Sequence, residues 1–404
     1  MMVITLIAVV LWLVVLLAAV PVLVVWLQVC LAWPSRHQVL PALPHAVPDD
    51  GLSEAPSFAV LVPAHNEEAV IADTVRQLMK QLRPTDTLLV VADNCTDATA
   101  RLAGEAGATV VERSDALRRG KGYALDHGMR WLAARPHAVL IIVDADCRVE
   151  PGGLGQLAAK AHAVDRPVQA LYLMHAPPSP TLKQRVAAFA WRLKNWVRPL
   201  GWHNAGWPCQ LMGTGMAFPW AMAQNMALAN AELVEDMKLG VDLALAGTPP
   251  LFCPQVLVHS HFPTSEQATQ GQRKRWEHGH LGVIASQAPR LLAQAWRRRD
   301  ARLWAMALDL SVPPLALLVL LQLAALGLAG MGAWLGLGSG PLEAAIGCLA
   351  MFAMAVGAAW WGWGRSVVSA RDLLTVPWYV LGKLPLYLGY VFKRQKEWVR
   401  TDRK

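Results

Sequence analysis

Two acidic pairs and a basic, aromatic segment carry the chemistry available to this chain. Asp144 and Asp146 stand one residue apart just beyond an apolar run, so an extended backbone points both carboxylates to one side. Hard oxygen donors in that arrangement suit Mg²⁺ or Mn²⁺ bound to a diphosphate, where the cation would stabilise a departing nucleoside diphosphate. A turn or helix cap is the competing reading of the same pair. Glu235-Asp236 opens a helical stretch, Met237 to Ala246, and a carboxylate there can take the proton of an acceptor hydroxyl as general base. Acidic residues are also ordinary in a helix's first turn. Gln272-Arg273-Lys274-Arg275-Trp276 is basic and aromatic, a pattern shared by snorkelling surface pairs. Lys121, in Arg118-Arg119-Gly120-Lys121-Gly122, offers an ammonium and a helix N-terminus to phosphate.

Other motifs are set aside. Without G-x-G-x-x-G after the first strand and without a P-loop, neither dinucleotide nor P-loop chemistry is predicted. His259-Ser260-His261 and His278-Gly279-His280 lack further ligands at metal-site spacing and are not predicted to bind metal. Asn94-Cys95-Thr96 fits a glycosylation sequon, but a cytoplasmic strand-end loop is not modified. The 6 Cys form no C-x-x-C pair and read as reduced, structural thiols.

The elements that must position these residues alternate. Phe58 to Val62, Leu88 to Val91, Thr109 to Val111 and Val139 to Val143 are short apolar runs, with helical patterns over Glu67 to Gln81, Thr96 to Ala106 and Gly120 to Ala134 between them. Strands that are continuously apolar, separated by helices, predict a mostly parallel sheet covered on both faces. Ligands bind at the carboxyl ends of such strands. Pro63-Ala64-His65-Asn66-Glu67, Ala92 to Asp97 and Asp144-Ala145-Asp146 all fall there and converge on one predicted cleft.

A hydrophobic fraction of 54%, a charged fraction of 16% and a mean hydropathy of +0.31 exclude an ordinary soluble protein and a disordered one. Residues 1–33 are predicted to anchor the chain in a membrane rather than to be a cleaved signal peptide. A linker follows at 34–57, then an α/β domain at 58–302. Within 303–364, spans are predicted over Ser311 to Trp334 and Ala344 to Gly364. Arg297, Arg298, Arg299, Arg302, Arg365 and Arg371 flank this pair and place both its ends, with the α/β domain, in the cytoplasm. In 365–404, the run Leu373 to Phe392 is read as re-entrant or interfacial before a basic tail, with a fourth crossing as the alternative. Gly332 to Gly336 fits Gly-x-x-x-Gly and signals close helix packing. Basic residues mixed with Trp over Thr181 to Trp207 fit either a helix in the headgroup region or one packed on the membrane helices. Membrane-flanking residues explain most of the +8 net charge, so no nucleic-acid partner is predicted.

Taken in order, Pro63 to Glu67, Asp93 to Asp97, Gly120-Lys121-Gly122, Asp144-Ala145-Asp146, Gly213-Thr214-Gly215, Glu235-Asp236 and Gln272 to Trp276 resemble the motif series of membrane-bound family 2 glycosyltransferases, which include cellulose, hyaluronan, chitin-oligosaccharide and poly-N-acetylglucosamine synthases. The resemblance runs from about Phe58 to Gly279 and implies a GT-A-like α/β domain, with transmembrane helices flanking it. By that likeness Pro63, His65, Glu67, Asp93, Lys121, Asp144 and Arg275 would bind the nucleotide sugar, with Asp93 near the base and Lys121 near the phosphates. Asp144 and Asp146 would hold Mg²⁺ or Mn²⁺. Asp236 would be the catalytic base of an inverting transfer. Gly213, Thr214, Gly215, Gln272 and Trp276 would shape and bind the acceptor. Two departures stand out: Ala92 replaces the first of two Asp common in relatives, and Val234 stands where Thr or Ser is usual.

The expected reaction is transfer from a UDP-sugar to a growing β-linked polysaccharide or oligosaccharide at a bacterial inner membrane, with lipid, export-complex subunits or a second copy as possible partners. Single-sugar transfer to a lipid acceptor is the alternative, because three spans are few to enclose a channel. A non-catalytic subunit is disfavoured, since Asp144, Asp146, Asp236 and Trp276 are all present.

Overall fold

The apolar runs become strands because β-branched and leucine side chains fill both faces of a covered sheet. The computed structural model describes residues 2–37, 56–230, 234–262 and 266–392. Most of the linker and the basic tail lie outside these residues. Contacts divide the chain into two units: residues 38–177, 208–279 and 396–404 form one, and residues 1–37, 178–207 and 280–395 the other.

The first unit is an eight-stranded mixed sheet. Its strands are β1 (Phe58–Ala64), β2 (Thr87–Asp93), β3 (Thr109–Arg113), β4 (Val139–Ile142), β5 (Arg148–Val149), β6 (Val168–His175), β7 (Met216–Pro219) and β8 (Leu251–His261), in the order β3-β2-β1-β4-β7-β6-β8-β5. The strands β3, β2, β1 and β4 are parallel, while β7 runs antiparallel to both β4 and β6, β6 pairs parallel with β8, and β5 pairs antiparallel with β8. The last four strands to be added, β5 to β8, have no counterpart in the sequence pattern read above. Of these β5 has two residues and β7 four, β7 and β8 contain proline, and tertiary pairing decides where they lie in the sheet.

Helices between strands cover the sheet: α1 (Met2–Ala32) belongs to the other unit, and α2 (Ile71–Met79), α3 (Thr99–Glu105), α4 (Lys121–Leu132) and α5 (Gly153–Val164) to this one. On α4, Leu125, Met129 and Leu132 pack with Leu61, Leu89, Val91, Leu140, Ile142 and Phe218 in one buried cluster. Each such side chain contributes roughly 1.5–3 kcal/mol when fully buried. The predicted helices begin up to four residues early because Asn66 to Glu68 and Thr96 to Ala98 form hydrogen-bonded loops: Asn66 Oδ1 accepts from the Thr96 amide at 2.7 Å and the Ala98 amide donates to Glu68 at 3.1 Å.

In the second unit α6 (Leu182–Arg192), a π-helical turn and α7 (Arg198–Asn204) lie with the apolar helices. The helices α8 (Trp220–Ala223) and α9 (Glu235–Leu245) return to the sheet unit, and α10 (Glu266–Arg298) begins there and continues into the second unit. The rest is α11 (Ala301–Leu310), α12 (Leu315–Trp334), α13 (Gly340–Ala359), α14 (Ala370–Leu374), α15 (Val376–Leu381) and α16 (Leu384–Phe392). Among the described residues three segments are long and apolar enough to cross a membrane: Met2–Ser35, Leu315–Trp334 and Gly340–Gly364. On α1, Leu6, Leu13, Leu16, Leu17 and Leu23 are exposed while Val15, Val22, Val25 and Val29 are buried, so the helix is apolar all round, as a lipid-facing helix must be. Gly332 meets Leu11, and Gly340 faces the Trp12 ring where a Cβ would lie 2.8 Å away. Gly336 instead makes the turn between α12 and α13, with φ +78.

Segment 181–207, read as interfacial or packed on the membrane helices, packs on α1. The Gly201 backbone approaches that of Gln28 with no room for a Cβ. Arg198 donates to Gln28 Oε1 at 2.8 Å and to Asp309 Oδ1 at 2.7 Å, and Gln28 donates to Asp309 at 2.6 Å. This buried network joins α1, α7 and α11, and spacing along the sequence gave no sign of it. Run 373–392 is broken into short helices, and α14 is held to α6 by the Arg185 fork on Asp372 at 2.8 and 2.9 Å. The guanidinium of Arg185, with the Ser369 amide, holds the Asp372 carboxyl well below the usual range.

Candidate active site

The loops after β1, β2 and β4 meet at the carboxyl edge of the parallel strands. They line a cavity of about 420 Å³ together with Arg119, Gly120, Lys121, Ala124 and Arg275. Pro63, His65, Glu67, Asp93, Lys121, Asp144, Asp146 and Arg275 all face it. Its β1 and β2 walls are tied to each other: His65 Nδ1 lies 2.7 Å from the Asp93 carbonyl oxygen and the Glu67 amide donates to Thr99 at 2.7 Å. Asn66 and Asn94 turn these loops with φ of +54 and +51, a left-handed conformation that Asn adopts more readily than most side chains.

The Asp93 carboxylate is buried and accepts from Arg113 at 2.5 Å. Arg113 also reaches Asp115 and the Arg118 carbonyl, so it braces the loop leading to Lys121. Arg113 was invisible to sequence reasoning, because a basic residue ending a strand is ordinary there. Only the β2–β3 register, Asp93 opposite Arg113, pairs the two.

Lys121 lies at the centre of the site. Its ammonium stands 2.6 Å from Asp144 Oδ1, 2.7 Å from the Gly213 carbonyl and 3.5 Å from Glu235 Oε1. Burial alone would lower its pKa, but Asp144 and Glu235 outweigh that and raise it, so the amine stays charged. Glu235 behaves oppositely. Burial pushes its carboxyl up to about 7 against the attraction of Lys121, and the neighbouring Asp236 adds to the rise. Lys121 thus bridges the carboxylates after β4 to the pair that opens α9.

Gly122 and Gly213 make this approach possible. A Cβ on Gly122 would lie 2.5 Å from the Leu228 carbonyl oxygen and 2.6 Å from that of Asn230, so only glycine lets α4 start against this segment. Gly213 has φ +91, and a Cβ there would stand 3.3 Å from Asp236 Oδ2. Thr214 is buried, and its Oγ1 accepts the Asp144 amide at 3.0 Å. Gly215 serves the sheet, donating to the Ile142 carbonyl at 2.9 Å and accepting from the Ala170 amide at 2.8 Å. Asp236 borders a second, small pocket with Glu235, Leu125, Met216 and Asp242. Gln272 is buried and Trp276 half-buried on α10; neither is among the residues lining the main cavity.

Donor atoms of Asp144, Asp146 and Cys147 lie within 4.8 Å of one another, the one such group found among the described residues. The two carboxylates fit a hard divalent cation. The thiol is a soft donor that already turns to Asp146 Oδ1 at 3.6 Å, so the carboxylates define the site's preference.

A cavity at strand ends thus has a carboxylate pair beside it and a second acidic pair across a lysine. Residues 55–279 match the family described as glycosyltransferase like family 2, more than half of the chain, and the protein belongs to that family. It is 24% identical over 271 residues to a probable glycosyltransferase, YdaM, of Bacillus subtilis; the alignment takes 63% of this chain and 61% of that protein, under two thirds of its length. Over 71 residues, 18% of each chain, it is 39% identical to the 4,4'-diaponeurosporenoate glycosyltransferase of Staphylococcus aureus. A mannosyltransferase of Pyrobaculum calidifontis, solved with GDP-Man and Mn²⁺, superposes with a TM-score of 0.48 at 16% identity over 94% of this chain and all of that one.

Proposed function

We propose that the protein transfers a sugar, with inversion, from a UDP-sugar to a hydroxyl acceptor at a membrane surface, and that the product is a growing β-linked polysaccharide or oligosaccharide. The observation that carries this reading is the cluster in which Lys121 links Asp144 to Glu235, the chain neighbour of Asp236, at the edge of the cavity. The cavity suits a nucleotide sugar: the loops after β1 and β2 would take the nucleoside, and Arg275 and Arg119 supply positive charge for a diphosphate. Asp144 and Asp146 would hold Mg²⁺ or Mn²⁺, which when bound supplies charge stabilisation to the leaving diphosphate. Asp236 would accept the acceptor's hydroxyl proton. Lys121 holds Asp144 and Glu235 in place through a buried positive charge, and Asp236 borders the small pocket beside them. One base and one displacement give inversion.

The basic residues flanking α12 and α13 support a cytoplasmic catalytic domain, and the broken helices of 370–392 support an interfacial rather than crossing segment. A second reading, a single sugar added to a lipid, is favoured by a specific observation: the three candidate spans among the described residues are few for a translocation channel. The named acceptor of the Staphylococcus relative is in keeping with it.

Product analysis separates them. Protein in nanodiscs is given labelled UDP-sugars, GDP-mannose as a comparison donor, and Mn²⁺, beside Asp236→Asn. A ladder or polymer lost in the variant supports polymer synthesis; a single-sugar lipid product lost in the variant supports the second reading. Turnover unchanged in Asp236→Asn overturns the assignment of the base.

A further inference from the structure

Three arginines gather where two apolar helices end, and no carboxylate of their unit answers them. The helices α1 and α13 run side by side in the same direction. A Cβ on Gly340, at the start of α13, would stand 2.8 Å from the Trp12 ring, and one on Gly362, near its end, 3.5 Å from Arg36 Cβ and 3.7 Å from the Trp33 ring. Arg36 follows α1, Arg365 follows the π-helical turn 360–364 that closes α13, and Arg192 ends α6. Gly364 lets α6 come in close, since a Cβ there would lie 2.6 Å from the Phe189 ring. Arg192 then donates through Nη1 to the Trp363 carbonyl at 3.0 Å and to Ser366 Oγ at 2.9 Å, while Arg36 donates to the Trp33 carbonyl at 3.1 Å.

The acidic residues of this unit are Asp300, Asp309, Glu343 and Asp372, and all are engaged or distant. Asp300 pairs with Arg302 at 3.0 Å, Asp309 with Arg198 at 2.7 Å and Asp372 with Arg185 at 2.8 Å. Glu343 lies in the first turn of α13, about 30 Å along the helix from Arg365. Among the described residues Arg36, Arg192 and Arg365 therefore have no carboxylate partner, and the carbonyls they cap take only part of each donor fork. Burial lowers the pKa of Arg192 with nothing acidic to oppose it, yet a guanidinium keeps its charge at ordinary pH. Like charges brought together in a partly buried space repel, and a bound anion relieves that cost.

The surroundings say which anion. Arg36 lies 4.8 Å over the Trp33 ring and Arg365 4.3 Å over Trp361, while Trp33 and Trp363 meet edge to face with centroids 6.3 Å apart. Tryptophan and arginine at the ends of apolar helices mark the level of lipid headgroups. Basic pockets between such helices are suited to anionic headgroups. The π-helical turns 193–197 and 360–364 also adjoin here, and widened turns of this kind recur at functional sites.

We propose that Arg36, Arg192 and Arg365, with Ser366, bind the phosphate of an anionic phospholipid at the membrane face where α1 and α13 end. Guanidinium forks match phosphate oxygens in geometry as well as charge. A headgroup held there ties α6 to the ends of α1 and α13. The site stands independently of the transferase reading.

The test uses the full-length protein in a neutral detergent, titrated with phosphatidylglycerol, phosphatidylcholine or inorganic phosphate, and read by native mass spectrometry and melting temperature. One phosphatidylglycerol is expected to stay bound under conditions that strip phosphatidylcholine, and to raise the melting temperature. Affinity is expected to fall about tenfold in Arg192→Gln, as loss of one charge-assisted hydrogen bond implies. A smaller loss is expected in Arg365→Gln, whose exposed side chain the fold does not need, so a folding defect in the first variant does not hide the result. Arg297→Gln, at the end of α10, should bind as the unaltered protein does. Equal retention of the two lipids, or equal weakening in Arg297→Gln, overturns the proposal. Inorganic phosphate that stabilises as well as phosphatidylglycerol overturns the lipid as the source of the anion.

Discussion

At the scale of single residues, the site's behaviour is set by how few charges share a small, mostly buried space. Removing the proposed base by Asp236→Asn is expected to lower kcat by about 10²–10⁴-fold with KM for the donor little changed, since general base catalysis contributes about that much and the residue stands apart from the donor cavity; steady-state kinetics with varied donor decide it. Glu235 leads to a stability prediction. Its carboxyl titrates near 7 in the folded protein and near its ordinary 4.5 when unfolded, so between those values the native state binds more protons than the unfolded one. Stability must then fall as pH rises from about 4.5 through 7, by at most about 3 kcal/mol. Lys121, whose raised pKa keeps it charged throughout that window, adds no slope there. The melting temperature measured against pH should lose this decline in Glu235→Gln. A third substitution, Arg113→Leu, leaves Asp93 buried with its main partner gone and should cost about 2–3 kcal/mol by chemical denaturation.

At the scale of elements, two close backbone approaches decide where helices can start or cross. Gly122→Ala drives a Cβ into two carbonyl oxygens and is expected to cost about 1–3 kcal/mol and to displace Lys121 from Gly213, so activity should fall beyond what the stability loss explains. Activity at a temperature where both proteins remain folded separates the two effects. The first four strands and their helices were legible because period-2 or continuous apolar runs alternate with longer amphipathic ones. Strands β5 to β8 were not, because β5 has two residues, β8 contains Pro254, and pairing with distant neighbours stabilises them. Asp144, Asp146 and Asp236 were picked out by residue type and motif order. Arg113 was missed because strand register alone brings it to its partner.

For the whole molecule, apolar composition concentrates in three segments that span a bilayer by length and hydropathy. If the basic flanks orient them as proposed, the turn between α12 and α13 faces away from the cytoplasm. A Ser339→Cys variant, with Cys30 and Cys348 replaced by Ser, should then react with a membrane-impermeant maleimide added to intact cells; labelling only after lysis would reverse the orientation.

The sequence by itself determined the membrane character, the alternating α/β pattern and the types of residue at the strand ends. Those follow from local physics: hydropathy over about 20 residues, periodicity along one element, and the preference of ligand sites for strand ends. Tertiary structure decided that Lys121 joins the two acidic pairs and that Arg198, Gln28 and Asp309 close a buried network. Each of these joins residues far apart in the chain, and no pattern within a single element records which strand pairs with which or how closely two backbones approach.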